Sequence, residues 1–272
     1  MHLRLSRLAR QLSQRISRRP LSESTAARVA ALSARMAGLD RGLGDWDDQE
    51  ARESVSALLH GLRTDPAFSS RAANLSLALS CLQNSLAGDE GVVDVVNELA
   101  ERLAQSQEVF TAIDIENAFV GLRYLELGSP SISRLLDALR VKLKSAQSPL
   151  PPRSLSFAYY GLQSMPSSEL LVQALLRELN GRLRSTSESF DAEDFARIFW
   201  GMQCMSTREE AVRDLLAELV RKVRDSREPS LAAAEESAMF GLYHMSRKDA
   251  TVKNLLAALK RRKCDPDGDD AG

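Results

Sequence analysis

The stretch Phe157-Ala158-Tyr159-Tyr160-Gly161-Leu162-Gln163-Ser164-Met165 decides the fold, because it returns along the chain. It recurs as Ile198-Phe199-Trp200-Gly201-Met202-Gln203-Cys204-Met205 and as Met239-Phe240-Gly241-Leu242-Tyr243-His244-Met245. An earlier copy reads Ala118-Phe119-Val120-Gly121-Leu122-Arg123-Tyr124-Leu125. The glycines stand at 121, 161, 201 and 241, a constant step of 40, and Cys81 holds the column one step earlier. Self-similarity at such a period is the mark of a repeat architecture.

A second pattern lies further along each unit. Leu59, Leu99, Leu139, Leu179, Leu219 and Leu259 form an unbroken column. Four residues before each stands Val55, Val95, Leu135, Leu175, Leu215 or Leu255. Three before that stands Arg52, Val92, Ile132, Val172, Val212 or Val252. The spacing i, i+3, i+7 marks one face of a helix. The expected fold is therefore all-α: an α-solenoid of about six two-helix repeats with a 40-residue period.

Each unit is read as a helix A followed by a helix B. Helix A is expected over 112–125, 152–165, 192–205 and 232–245, and helix B over 131–143, 171–183, 211–223 and 251–263. Phe190-Asp191 before Asp194-Phe195 places an N-cap Asp between apolar residues at the staple positions, and Phe110-Thr111 before Asp114-Ile115 repeats the device. In the next unit Leu150 and Leu155 keep the staple while Pro151 holds the cap. Links such as Gly128-Ser129-Pro130 and Met165-Pro166-Ser167-Ser168 are short and rich in helix breakers, which makes each unit an antiparallel hairpin. One hairpin cannot bury its apolar faces, so the copies must stack. The first copy, about 24–63, carries Ser56 and Arg63 where others are apolar, as a solvent-facing cap would.

Composition agrees. Apolar residues make up 44% of the 272, enough for a sizeable core, but aromatics only 5%, and Leu and Ala favour helix over sheet. No run reaches the roughly 20 apolar residues a membrane span needs. The three cysteines, Cys81, Cys204 and Cys264, are too few and too scattered for a disulfide framework and read as reduced thiols. Three segments result: a basic leader at 1–20, the repeat domain at 21–264 and an acidic tail at 265–272 with four aspartates. The leader holds six arginines and no acid; without it, the formal charge of −1 becomes −7. Arg- and Ser-rich, with Leu3, Leu5, Leu8, Leu12 and Ile16 mostly on one stripe, it reads as a transit peptide or as a basic capping helix. The location expected is mitochondrion or plastid, with the cytoplasm as alternative.

Core and binding columns separate by how much they vary. Ala158 with Gly161, and the matching pairs Ala118 with Gly121 and Ala238 with Gly241, are small and three apart, so another helix can approach there. Met165, Met205 and Met245 are read as core filling. The other face of helix A changes from copy to copy. It carries Asn117, Phe157, Arg197 and Ser237 in one column, and Val120, Tyr160, Trp200 and Phe240 in a second. A third holds Tyr124, Ser164, Cys204 and His244, flanked by Arg123, Gln163, Gln203 and Tyr243. Varied rings and hydrogen-bonding groups at a regular step suit stacking on successive bases of a single strand. The same columns also suit a peptide groove, or rings wedged between neighbouring repeats.

The Gly-Leu-Gln-x-Met helix followed by the x-x-Leu-Leu-x-x-Leu helix resembles the degenerate helical-hairpin repeats of organelle RNA-binding proteins, the octotricopeptide proteins of algae and related protists. The resemblance covers about 24–263. It implies single-stranded RNA binding in organelle gene expression, without catalysis. The alternative is an armadillo- or HEAT-like protein-interaction scaffold. Either ligand, RNA or a peptide or protein segment, would lie along the A-helix face, with Asn117, Arg123, Tyr124, Phe157, Tyr160, Gln163, Arg197, Trp200, Gln203, Phe240 and His244 as the contacting residues. A monomer without cofactor is expected. No phosphate-cradling loop, nucleophile elbow, His-Glu-x-x-His helix or Cys-x-x-Cys pair is present, so no enzyme is expected. Cys204 and His244 share a column, but metal sites need three or four ligands.

Overall fold

The computed structural model describes residues 48–65, 68, 70–83, 90–125, 127–146, 149–226, 228 and 230–264. These residues form eleven helices and no strand. In chain order they are α1 (Asp48–Thr64), α2 (Ala72–Ser80), α3 (Glu90–Gln105), α4 (Ala112–Val120), α5 (Pro130–Ser145) and α6 (Pro152–Tyr160). There follow α7 (Leu170–Ser185), α8 (Ala192–Gly201), α9 (Glu210–Asp225), α10 (Ala232–Gly241) and α11 (Ala250–Cys264). The leader, the first helix expected of the opening copy and the acidic tail lie outside the described residues.

Like packs on like. The short helices α2, α4, α6, α8 and α10 each lie against the next of their kind, and so do the long helices α1, α3, α5, α7, α9 and α11. The partners within a hairpin also touch, as α6 does α7 and α10 does α11. The columns read from the sequence are the buried ones. Leu99, Leu139, Leu179 and Leu219 are fully buried, with Val95, Leu135, Leu175, Leu215 and Leu255 beside them. Leu59, on α1, is only half-buried, and Ser56 and Arg63 are exposed.

The short helices end earlier than their periodicity predicts. The expected ends at 125, 165, 205 and 245 are corrected to 120, 160, 201 and 241. Beyond these points the backbone tightens into i→i−3 bonding. Leu162 N–H donates to the Tyr159 carbonyl at 3.0 Å and Met165 N–H to that of Leu162 at 2.9 Å. Met202 and Met205 repeat the pattern at 3.0 Å each. Such turns eclipse side chains three apart. Leu162 and Met165 therefore stay buried, as do Met202 and Met205. An apolar spacing of three fits an α-helix and this tighter turn equally, so the pattern could not separate them.

The glycine column is a close approach of backbones. A Cβ on Gly161 would lie 2.0 Å from the Phe119 carbonyl oxygen, and one on Gly121, Gly201 or Gly241 would lie 2.0, 2.2 or 1.9 Å from that of Leu79, Tyr159 or Phe199. Each of these carbonyls belongs to the preceding short helix. Gly161 has ordinary helical geometry, φ −61°, so space and not conformation demands glycine there. Gly128 differs: its φ of 156° suits glycine in the link before α5. Gly181, exposed within α7, meets nothing within 4 Å. Gly181→Ala is expected to raise stability by about 0.5–1 kcal/mol through helix propensity. A denaturant midpoint that stays put or falls would count against this account of α7.

Two short helices begin on full capping boxes. The Thr111 hydroxyl accepts from Asp114 N–H at 3.3 Å, and Asp114 accepts from Thr111 N–H at 2.9 Å. Asp191 and Asp194 do the same for α8. Phe190 and Phe195 close that entry with ring centroids 5.6 Å apart. Pro151 makes no side-chain cap. The box carboxylates also reach the preceding copy: Ser76 Oγ donates to Asp114 at 2.9 Å and Ser156 Oγ to Asp194 at 2.8 Å.

Burial raises the Asp194 carboxyl above its ordinary 3.8, with Asp191 acting in the same direction and the Ser156 hydrogen bond and Arg197 against it. A folded-state value above the unfolded one means that the folded protein holds the extra proton between the two. This group's contribution therefore falls as pH rises from about 3.8 through the raised value, and its cost is full above that. In urea melts over this range, the stability gap between Asp194→Asn and the parent should move in the variant's favour with rising pH. A gap independent of pH would exclude Asp194 as the source.

The long helices carry a second cross-copy device. Lys142 Nζ donates to the carbonyls of Ser106 and Glu108, and Lys222 Nζ to that of Thr186. Arg182 donates to the carbonyls of Leu143, Lys144 and Ala146 at 3.0, 3.0 and 3.1 Å. Each cation thus satisfies carbonyls at or just past the end of the preceding long helix, where the macrodipole also favours positive charge. Burial pulls the Lys142 and Lys222 ammonium groups below their ordinary range.

Candidate ligand-binding face

The varied columns of the short helices come together across copies, in pairs. Trp200 and Phe240 stack with centroids 5.5 Å apart and planes 11° from parallel. Both remain open to solvent, at 39% and 54% exposure. Two copies back, the Arg123 guanidinium lies 4.7 Å from the Tyr124 ring and 4.5 Å from the Tyr160 ring. Phe157 lies between two arginines, Arg197 at 4.5 Å and Arg153 at 5.3 Å. Tyr243 meets His244 edge-on at 5.1 Å, and both are exposed. Such ring and cation–ring contacts hold the rings in place.

Asn117, Gln163 and Gln203 are half-buried, as are Tyr160 and Phe157, while Tyr124 is exposed. Arg197 stands apart from the role expected for it beside Trp200. Its side chain is only 15% exposed; it pairs with Glu193 and, at 3.1 Å, with Asp194. The physical reason is its position one turn into α8, within reach of the first-turn carboxylates. Arg153 pairs with Glu116 at 3.1 Å, one copy back. Arg153 and Arg197 are thus paired with carboxylates of the short helices, while Arg123 lies against rings.

No family model, no curated protein and no solved structure matches this chain.

Two thiols just past the ends of short helices move away from nucleophile chemistry. Burial pushes the Cys81 thiol up to about 12 and raises that of Cys204 as well, opposite to the shift that makes a reactive thiolate. The Tyr159 phenol is buried, raised well above its usual range, and donates to Asn180 at 2.9 Å. Asn180 in turn donates to the Ala211 carbonyl at 2.8 Å, tying this hairpin to the next copy. Among the described residues, no group of three or more His, Cys, Asp or Glu could hold a metal ion, and no helix is long and apolar enough to cross a membrane. What the face offers is a series of rings, with Arg153 and Arg197 held by carboxylates.

Proposed function

We propose that the chain is a solenoid of about six helical hairpins that binds, without catalysis, an extended segment of another protein along its short-helix face. The observation that carries this reading is the ion pairing of two arginines of that face. Arg153 and Arg197 are held by Glu116, Glu193 and Asp194, and an RNA ligand draws most of its non-specific affinity from phosphates meeting uncommitted cations. Part-exposed Trp and Tyr rings fit the aromatic anchors of protein interfaces. Trp200 and Phe240 are the anchors, with Tyr124, Tyr160, Gln163, Gln203 and His244 around them.

Single-stranded RNA is the second reading, favoured by one specific feature. The rings at 160, 200 and 240 recur once per copy, as a base-stacking ladder would. Import into a mitochondrion or plastid is proposed with it, on the composition of residues 1–20.

One paired measurement separates the two. The 272-residue protein is titrated against a panel of fluorescein-labelled peptides and against labelled poly-uridine at low and moderate salt. A peptide ligand whose affinity falls about tenfold or more in Trp200→Ala, with an unchanged melt, supports the protein reading; that loss corresponds to about 1.4 kcal/mol or more. Salt-dependent poly-uridine binding lost in Trp200→Ala, with no peptide bound, overturns it in favour of RNA. A lowered melt with no ligand lost would make the rings packing elements only.

A further inference from the structure

The dipeptide Asn180-Gly181 departs from the repeat in two adjacent columns. The column of Asn180 otherwise holds Ala100, Arg140, Val220 and Lys260, and that of Gly181 holds Glu101, Val141, Arg221 and Arg261. Of the asparagines in the chain, Asn180 is the one followed by glycine. It is 1% exposed, accepts from the Tyr159 hydroxyl at 2.9 Å and donates to the Ala211 carbonyl at 2.8 Å. Gly181 is exposed and serves no packing need: a Cβ there would meet nothing within 4 Å, and its φ is not positive. Glycine inside a helix lowers its stability. What the missing side chain changes here is the chemistry of its neighbour.

We propose that Asn180 is a deamidation site guarded by the fold: a chain whose α7 has opened is modified there and cannot re-form the boundary between α7 and α9. The Gly181 amide nitrogen attacks Cγ of Asn180. A C–N bond forms, the Cγ–Nδ2 bond breaks, and the nitrogen's proton leaves with the departing ammonia. Water then opens the five-membered imide at either carbonyl, giving aspartate or isoaspartate. Glycine, without a side chain, leaves its nitrogen freest to attack. In α7 both groups are committed. The Gly181 N–H is turned along the helix toward the carbonyl four residues back. The Asn180 amide is held between Tyr159 and Ala211. The ring closes only when this turn of helix opens, so the rate follows the open population.

The product bars the way back. Aspartate at this position sets a carboxylate oxygen against the Ala211 carbonyl in place of a donor, in a buried site. Two acceptors then face each other and one is charged, which burial penalises. Isoaspartate also adds a backbone carbon beside Leu179, which is fully buried. The inference rests on α7 and not on the ligand face proposed above.

The test holds the 272-residue protein folded, and unfolded in concentrated urea, at the same mildly alkaline pH. Trypsin then releases Glu178-Leu179-Asn180-Gly181-Arg182, whose aspartate and isoaspartate forms are counted by mass spectrometry. In urea this peptide should convert faster than those holding Asn74, Asn84, Asn97, Asn117 or Asn254. Gly181→Ala should slow that conversion about tenfold or more, in urea, where its effect on folding plays no part. In the folded protein the parent peptide should convert about a hundredfold more slowly than in urea, or slower still. Asn180→Asp, which carries the hydrolysed side chain from the start, should unfold at a lower urea concentration than the parent. Equal conversion in the folded and unfolded protein overturns the proposal, because the fold would then guard nothing. Conversion in urea that Gly181→Ala leaves unchanged overturns the chemistry. An Asn180→Asp midpoint at or above that of the parent overturns the claim that the product bars the boundary from re-forming.

Discussion

Gly161→Ala is expected to lower the stability of the protein by about 3 kcal/mol, at the upper end of what overpacking a well-filled site costs. The added Cβ would stand 2.0 Å from the Phe119 carbonyl oxygen. That atom is backbone, held in α4, and cannot rotate away as a side chain would. The two short helices must part, and with them the buried contacts of Ala158 and Phe119. Alanine's advantage in helix propensity, about 1 kcal/mol, does not offset this. Denaturant melts of Gly161→Ala and Gly181→Ala should therefore move in opposite directions from the parent. If both variants gain stability, the close approach of the short helices is misplaced.

Leu179→Ala should cost about 2–5 kcal/mol, through lost burial and the cavity left behind. Leu179 is fully buried in α7, which packs on α5 and on α9. Leu139→Ala, one copy earlier, should cost a similar amount for the same reason. Leu59→Ala should cost less, because Leu59 is only half-buried. Equilibrium unfolding of the three variants checks the order; three equal losses would mean that the column is not graded along the array.

The candidate face was partly legible before any coordinates. Trp200, Phe240, Tyr124 and His244 stand exposed on the variable side of the short helices, where their columns place them. Their partners were not legible. Nothing in a column says that Trp200 stacks on Phe240 while Tyr160 instead closes on Arg123, because such pairing depends on side-chain directions across a helix crossing. Arg197 shares a column with Phe157, yet its first-turn neighbours Glu193 and Asp194 claim it, and only the distances decide that contest. A further signal was present in the sequence: Arg102, Lys142, Arg182, Lys222 and Arg262 form an unbroken basic column at the 40-residue step. Lys142, Arg182 and Lys222 acquire a purpose only when the end of the preceding long helix is brought beside them.

By itself the sequence determined the period, the two-helix unit, the buried leucine column and the small-residue column at 121, 161, 201 and 241. These follow from spacing along one chain, since helical geometry turns a period into a face and a face into burial. The tertiary structure alone decided where each short helix stops, which carbonyl each glycine meets and which charges are already paired. An i, i+3 apolar spacing serves two backbone geometries equally, and a cation finds its partner by distance through space, which no spacing along the chain encodes.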